Sequence, residues 1–374
     1  MTIKRITTLA IACALMAGCA GTEADRPGTT LLIAMTAVAN EPRPTLTTLA
    51  RRELSAAIHS DRAALRIVLS RTERPVVVDE RDLRLRRGAQ IEHDPGRRAD
   101  LADREVERVA GVLSNGASNS AHLDLLTLLD HIARTPGRVT AVVISSGLQT
   151  TGPLAVDRLD WDHVGADSVT EQARALGLVP DLRGKRVVFA GLGEVARPQD
   201  PLSPPLRTRL VDMWLKLCRA GGGECVSDSD PAVGGPPLST TPVPTVPVPQ
   251  PPPIPAEPKA VNLPSDILFG PDSAVLLPTA EPLLARLAAA TPPGARVSLV
   301  GHTASVGPAE SARELSRQRA AAVRDGLTRH GVPATAITVD GVGYDRPLVA
   351  DRDAAGALIP AAAQQNRTVT VSLG

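Results

Sequence analysis

The first half of the chain alternates short apolar runs with longer segments in which apolar residues recur at helical spacing. The apolar runs are almost continuous, which is typical of strands that are covered on both faces of a sheet. The predicted strands are 31–37, 65–69, 75–85, 139–145 and 186–191, and the predicted helices are 45–58, 100–113, 120–133, 168–176 and 205–219. This alternation predicts a doubly wound α/β domain over residues 27–226.

A proline-rich segment follows over residues 227–260, where Pro, Val, Thr and Gly replace the helical pattern. Proline has no backbone N–H to donate, so such a segment cannot form a helix and favours polyproline II geometry. At about 3.1 Å per residue, its thirty or so residues could reach roughly 90 Å when fully extended. We therefore predict a semi-rigid spacer between two domains.

Residues 261–374 show a second alternation of apolar strands and amphipathic helices. The predicted strands are 266–270, 296–300, 337–341 and 368–373, and the predicted helices are 278–290 and 309–330. This order indicates a second, smaller α/β domain at the end of the chain.

One cation interrupts the apolar face of the helix predicted at 309–330. Arg319 shares that face with apolar residues four before, four after and eight after it, which are Leu315, Val323 and Leu327. A cation in line with core residues needs a partner at its end. Two interpretations stay open: Arg319 receives a carboxylate from a ligand, or it pairs with an acid of its own domain such as Asp340 or Asp345.

The N-terminus has the layout of a secretory signal, with Lys4 and Arg5 followed by an apolar run over residues 6–16. That run is too short to span a bilayer. It ends in Ala17-Gly18-Cys19, which resembles a lipobox, so we predict a signal peptide over 1–18 and lipid attachment at Cys19. Several acyl chains on one residue would make a stable membrane anchor. The alternative is an ordinary cleaved signal with a chance cysteine.

Two further cysteines, Cys218 and Cys225, flank a glycine-rich turn between a predicted helix and a probable strand. Export to an oxidising compartment favours a disulfide between them, and the glycines allow the close approach that a disulfide needs. Two buried free thiols remain an alternative. A metal pair is disfavoured because no histidine or further cysteine stands at ligand spacing.

The charge balance and the remaining motifs give no sign of nucleic-acid binding or catalysis. The chain carries 41 Lys and Arg against 40 Asp and Glu, so no electrostatic bias toward nucleic acid exists. Gly191-Leu192-Gly193 lacks the third glycine of a dinucleotide fingerprint, and Ser145-Ser146 lacks the nucleophile elbow. We predict a protein that is not an enzyme and has no cofactor.

The C-terminal unit resembles the OmpA-like family through Gly301-His302-Thr303, residues 315–320 and Asn366-Arg367. Further matches are residues 267–274 and 341–347. The resemblance implies an α/β domain with a mixed sheet that binds the diaminopimelate side chain of peptidoglycan. The site residues that it implies are Arg319, Thr303, His302, Asn366 and Arg367, with Arg319 matching the arginine that binds the ligand carboxylate.

The chain departs from the family pattern at the residue after Thr303. Ala304 stands where the family has an aspartate for the ligand's ammonium group, and Ala312 stands where an asparagine is usual. Losing one charged hydrogen bond of about 1.5 to 3 kcal/mol would weaken binding by about one to two orders of magnitude. We therefore expect weak peptidoglycan binding.

The N-terminal unit resembles a von Willebrand factor A-type domain in its element order and in residues 142–152. That family holds Mg²⁺ with acids at two strand ends, as a hard cation requires. Here the first strand end reads Thr36-Ala37-Val38-Ala39-Asn40, and the later strand offers Ser146 in place of the acid. We predict a domain without a metal site.

Together these patterns predict a non-enzymatic, lipid-anchored protein of the cell envelope that faces the extracytoplasmic side. It would tether the membrane to the cell wall through its OmpA-like domain. The first alternative is a protein-interaction module whose OmpA-like domain has lost peptidoglycan binding, while the von Willebrand-type domain holds an envelope protein. The second is a metal-dependent adhesin.

Overall fold

The computed structural model describes residues 28–72, 74–158, 165–230, 234–256 and 258–374. The predicted signal peptide over 1–18 and the lipidation at Cys19 therefore lie outside the described residues. The described chain forms two large sheets, one over residues 29–227 and one over residues 260–373, and a small two-stranded sheet over residues 86–91.

The first sheet has six strands in the order β3-β2-β1-β6-β7-β8. They are β1 (Thr29–Met35), β2 (Ala63–Leu69), β3 (Val76–Asp82), β6 (Val139–Ile144), β7 (Lys185–Ala190) and β8 (Glu224–Ser227), and a small hairpin of β4 (Arg86–Arg87) and β5 (Gln90–Ile91) stands apart from them. All neighbours in the sheet run parallel except the edge strand β3, which is antiparallel to β2.

Helices cover both faces of this sheet. They are α1 (Thr48–His59), α2 (Pro95–Ser114), α3 (Leu125–Arg134), α4 (Ala166–Ala175) and α5 (Pro204–Ala220). Successive residues of β1 enter different cores: Leu32 packs in the core with Trp214, and Ile33 in the core with Leu54. The prediction of a doubly wound α/β domain is confirmed.

Capping residues set where three of these helices begin. The side chains of Thr47, Asp94 and Asp124 accept hydrogen bonds from the backbone N–H groups three residues ahead. Such caps satisfy donors that the first helical turn leaves free. The predicted starts at residues 45, 100 and 120 were wrong by three to five residues because they followed the apolar pattern alone.

The predicted disulfide between Cys218 and Cys225 is present. It joins the last turn of α5 to β8, and both cysteines are buried. Gly221, in the turn between the two cysteines, lies so close to the Pro180 carbonyl oxygen that a Cβ there would overlap it.

The proline-rich segment is not an extended spacer over its middle part. Val243 and Val246 are buried in the core that contains Trp214. The Gln199 side chain donates to the Val246 carbonyl at 2.9 Å and accepts from the Val246 N–H at 2.7 Å. The prediction of a reach near 90 Å was wrong because valines between the prolines find apolar surface on the N-terminal unit.

The C-terminal unit has a four-stranded sheet in the order β11-β10-β12-β9. Its elements are β9 (Ala260–Pro264), α6 (Ser265–Leu268), α7 (Glu281–Ala290), β10 (Val297–Gly301), α8 (Ala309–Arg329), β11 (Ile337–Gly341), α9 (Pro360–Asn366) and β12 (Thr368–Leu373). Strands β10 and β11 are parallel, whereas β12 is antiparallel to both of its neighbours. The predicted mixed sheet is confirmed.

The first predicted strand of this unit was placed wrongly. Residues 265–268 form the short helix α6, and the strand precedes them as β9. All four α6 residues are buried, and a short buried apolar run has the same composition in a helix as in a strand.

The two units contact each other through α5. Arg209 donates to the Phe269 carbonyl at 3.0 Å and lies 3.6 Å from the Asp266 carboxylate. Within the described ranges, no helix combines the length and the apolar character that crossing a membrane requires.

Candidate functional site

Two glycines bring the C-terminal strand ends onto α8. A Cβ at Gly301, the last residue of β10, would overlap the carbonyl oxygen of Ser316. A Cβ at Gly341, the last residue of β11, would collide with the backbone of Arg317. Because only glycine permits this approach, the loops after both strands lie against the first half of α8.

The loop after β10 contains His302, Thr303 and Ala304, and all three are buried. The Thr303 N–H donates to the Gly343 carbonyl at 2.9 Å, and the Gly343 N–H donates to the Ser316 hydroxyl at 2.9 Å. The Thr303 hydroxyl has no hydrogen-bond partner among the described residues. A buried hydroxyl in this state can still contact a ligand.

Arg319 lies one turn after Ser316 on α8 and is 1 % exposed. Its Nε donates to the Ser273 carbonyl at 2.9 Å, and its guanidinium carbon lies 5.4 Å from the centre of the Phe269 ring. These contacts are not its only ones within the protein. The prediction that Arg319 faces the core is confirmed. Its side chain contacts the turn at residues 269–273.

The acids that the sequence suggested as internal partners of Arg319 form ion pairs elsewhere. Asp340 pairs with Arg346 at 2.9 Å, and Asp345 pairs with Arg313 at 2.5 Å. Both pairs are exposed, so each contributes little to stability.

His302 is held in its neutral form by its surroundings. Its Nδ1 lies 3.1 Å from the Arg346 carbonyl oxygen, which can only accept, so Nδ1 carries the proton. Burial lowers the pKa of His302, and the hydrogen bond to that carbonyl only partly offsets it. At neutral pH His302 therefore offers a ligand no positive charge.

One acid that sequence reasoning missed, Asp351, contacts the residue directly after Ala304. Its carboxylate accepts from the Ser305 N–H at 2.9 Å and from the Ser305 hydroxyl at 2.6 Å. Burial raises the pKa of Asp351, but hydrogen bonds from Ser305 and Asn366 outweigh it and hold the pKa below its usual value. The available signal was an acid directly after the apolar run 348–350.

Asn366 and Arg367 are buried rather than at an exposed edge of the site. The Asn366 side chain accepts from the N–H groups of Leu348 and Val349 at 2.9 and 3.0 Å and donates to the Val349 carbonyl at 2.8 Å. Arg367 borders a cavity of about 580 Å³ between residues 247–249 and the start of β12. Asn366 thus fixes the loop that carries Asp351.

The N-terminal sheet also has a polar cluster at its strand ends, and its centre is Glu41, which sequence reasoning missed. The Glu41 carboxylate accepts from the Thr36 hydroxyl at 2.8 Å, the Val38 N–H at 3.1 Å, the Ser145 hydroxyl at 3.1 Å and the Ser146 N–H at 2.6 Å. It is 3 % exposed. The adjoining cavity of about 10 Å³ has room for about one water molecule.

The described ranges contain no group of three or more His, Cys, Asp or Glu residues that could hold a metal ion. The cluster around Glu41 offers one carboxylate among hydroxyl and N–H groups, which is a poor ligand set for a divalent cation. The metal-free N-terminal domain remains a prediction.

Comparison with known proteins identifies the class of the C-terminal unit. The OmpA family model matches residues 268–357, so this part of the chain is an OmpA-family domain, and the OmpA-like resemblance is confirmed. A curated relative is the "Probable lipoprotein YiaD" of Escherichia coli (strain K12), which is 31% identical over 115 residues, or 30% of this chain. The chain spans about half the length of this relative, since the match covers 50% of it.

Solved structures that resemble the chain include three cell-envelope proteins. The peptidoglycan-associated lipoprotein from Burkholderia pseudomallei is 24% identical and covers 29% of this chain and 88% of its own, with a TM-score of 0.25. The cell wall anchor of the T6SS from Pseudomonas aeruginosa is 26% identical and covers 30% and 79%, with a TM-score of 0.25. The periplasmic domain of Helicobacter pylori MotB is 19% identical and covers 31% and 74%, with a TM-score of 0.27.

Proposed function

We propose that this chain is a non-enzymatic, lipid-anchored envelope protein that tethers the membrane to the cell wall. Lipid on Cys19 would hold one end at the extracytoplasmic side of the membrane. The OmpA-family domain would contact peptidoglycan at the other end. The observation that carries the proposal is a buried cation, Arg319, on the helix face that also supports the loop whose Thr303 hydroxyl has no hydrogen-bond partner among the residues that the structure describes.

The chemistry of the ligand fits this arrangement. The free end of a diaminopimelate side chain carries an ammonium and a carboxylate on one carbon. The planar fork of Arg319 would bind the carboxylate, and the Thr303 hydroxyl would accept from the ammonium. His302, which is neutral, would line the site without repelling the ammonium.

Asn366 and Arg367 would support the site without contacting the ligand. The side chain of Asn366 is committed to the backbone of residues 348–349, so it would position the loop beside the ligand instead of touching the ligand. Arg367, which is 1 % exposed, would support the start of β12 next to His302, whose N–H donates to the Thr368 carbonyl.

Each wall contact would be weak because no acid follows Thr303. A lipid anchor keeps the domain close to the wall, and local concentration reinforces weak contacts without any new interaction. Tethering by many copies therefore does not require a strong single site.

Co-sedimentation of the purified chain with isolated sacculi tests the proposal. We expect the sacculi to retain the native chain and not the Arg319→Ala variant. Retention of Arg319→Lys should be intermediate, because lysine keeps the positive charge but lacks the planar guanidinium that binds both carboxylate oxygens. Arg317→Ala is the matched control, since Arg317 lies on the same helix and pairs at the surface with Glu314. Circular dichroism of each variant separates loss of binding from loss of folding.

A second candidate function is protein docking without a peptidoglycan site. One observation favours it: both carboxylate oxygens of Asp351, the acid beside the loop after β10, already accept hydrogen bonds from Ser305. In that case the OmpA-family domain would be a docking surface and the N-terminal domain would hold a partner envelope protein. Equal sacculus retention of native chain and Arg319→Ala, or no retention of either, would favour this function over tethering.

A further inference from the structure

The chain enters the first sheet between two arginines. The Gly28 N–H donates to the Arg62 carbonyl at 2.6 Å, and the Thr30 N–H donates to the Arg138 carbonyl at 2.9 Å. Arg62 directly precedes β2 and Arg138 directly precedes β6, so both stand at the amino edge of the sheet. This edge is opposite the edge that carries Glu41.

Both arginines are exposed, and neither forms an ion pair with any residue in the described ranges. Other cations near this edge are neutralised: Arg134 pairs with Asp130 at 2.7 Å, and Arg183 pairs with Asp181 at 2.5 Å. Arg62 and Arg138 therefore leave an uncompensated positive charge on each side of the entering chain.

A cavity of about 340 Å³ runs from Arg138 along this edge, and further cations line it. Arg138, Lys185 and Arg186 line it, against one carboxylate, that of Glu224. Arg186 pairs with Glu224 and with Glu53. The remaining two cations give the cavity a net positive character.

Lys185 is 8 % exposed and has no carboxylate partner in the described part of the chain. Its ammonium donates to the carbonyls of Thr135 and Gly137, the latter at 2.8 Å. These contacts cap the end of α3 and cancel the partial negative charge that a helix carries there. An anion that approaches this edge thus meets cations and not exposed helix carbonyls.

The position of this edge relative to the anchor indicates what the anion is. Cys19 precedes Gly28 by nine residues, which span at most about 30 Å when fully extended. If Cys19 carries lipid, the amino edge cannot lie farther than this from the lipid headgroups. Cations near an anionic membrane surface are attracted over about one Debye length, roughly 8 to 10 Å.

We propose that the amino edge of the N-terminal sheet, through the exposed side chains of Arg62 and Arg138, contacts the phosphate groups of anionic lipids. This inference rests on the proposed lipid anchor and deepens it: the lipid holds the chain at the membrane, and the basic edge orients the domain on the surface. The carboxyl edge of the sheet and the OmpA-family domain then face away from the membrane.

Vesicle co-sedimentation tests the basic edge independently of lipidation. The protein is the chain without its first 19 residues, which keeps every residue that the structure describes. The vesicles are phosphatidylcholine alone or phosphatidylcholine mixed with phosphatidylglycerol. We expect retention on the anionic vesicles alone, weakened about 25-fold in Arg62→Gln/Arg138→Gln, since each cation contributes about fivefold.

Two further variants decide the interpretation. Arg62→Lys/Arg138→Lys should restore binding, because the attraction depends on charge. Arg51→Gln/Arg52→Gln removes the same charge from exposed positions in α1, which begins near the opposite edge, and should bind like the native chain.

Equal loss in the two glutamine variants would overturn the proposal in favour of attraction by net charge alone, and absence of binding to anionic vesicles would also overturn it. The anchor itself is tested separately, by the mass of the Cys19 peptide from membrane-extracted full-length chain. If Cys19 were unmodified while vesicle binding remained intact, the proposed lipid anchor would be wrong and the proposed lipid contact of the basic edge would still hold.

Discussion

Both sheets end in a polar cluster where parallel strands finish, but the two clusters are completed differently. At the ends of β1 and β6, the Glu41 carboxylate takes hydrogen bonds from both loops. At the ends of β10 and β11, the Thr303 hydroxyl has no partner among the described residues, and Ala304 supplies no charge. A buried cation, Arg319, lies on the adjoining helix.

The difference shows that the polar groups at a strand end are satisfied within the protein when the protein itself supplies the hydrogen-bond acceptor. Open α/β sheets commonly bind ligands at the crevice where the strand order reverses, which here lies between β1 and β6. Glu41 occupies that crevice. In the C-terminal cluster the Thr303 hydroxyl has no hydrogen-bond partner in the described part of the chain, so this cluster is the better candidate for a ligand.

The largest expected effect comes from breaking the closed cluster. Glu41→Ala leaves two hydroxyls and two N–H groups without their acceptor, so we expect the free energy of unfolding to fall by about 3 to 5 kcal/mol. Denaturant unfolding followed by the fluorescence of Trp214, which is buried in the same unit, measures this loss. Glu194→Ala is the control: its carboxylate pairs with Arg207 near the surface, and the expected change is about 0 to 1 kcal/mol. Similar losses in both variants would contradict the role assigned to Glu41.

A smaller effect should follow from completing the open cluster. Ala304→Asp restores the acid of the family pattern, so we expect sacculus affinity to rise by about ten- to a hundredfold, equivalent to roughly 1.5 to 3 kcal/mol. Ala304→Asn has the same size and no charge, so it carries the same steric cost at this fully buried position. If the aspartate variant bound no better than the asparagine variant, no ammonium would be recognised there.

The smallest expected effect is a loss of folding stability at acidic pH, to which one histidine in each unit contributes. Burial lowers the pKa of His302 and that of His131, where the Arg66 charge acts in the same direction. Both histidines are therefore protonated more readily in the unfolded chain, and folding stability is fully present above pH 6.5 and falls as the pH drops below that value. Thermal unfolding on either side of pH 6.5 measures the loss. The variants His302→Gln and His131→Gln should each remove part of it, and an unchanged pH profile in both would argue against this origin.

Local patterns predicted most of the fold. The ranges of β11 and β12 were predicted to the residue, because alternating apolar residues between clear breaks define them. The run 266–270 was assigned wrongly because periodicity over so few residues cannot separate a buried helix from a strand.

What the sequence could not predict depends on residues that are far apart in the chain. The partners of Glu41 include Ser145, which is 104 residues away, and Asp351 meets Ser305 across 46 residues. Composition correctly excluded a helix from the proline-rich segment over residues 234–256. It could not show that Gln199 binds Val246 across 47 residues.

Packing of the proline-rich segment has a consequence for proteolysis. A chain of prolines, threonines and valines without helix or strand is ordinarily the part of a two-domain protein that proteases cut first. Here Val243 and Val246 are buried, and the backbone of Val246 is held on both sides by one glutamine. A protease therefore has to displace this segment from the N-terminal unit before it can separate the OmpA-family domain from the rest of the chain.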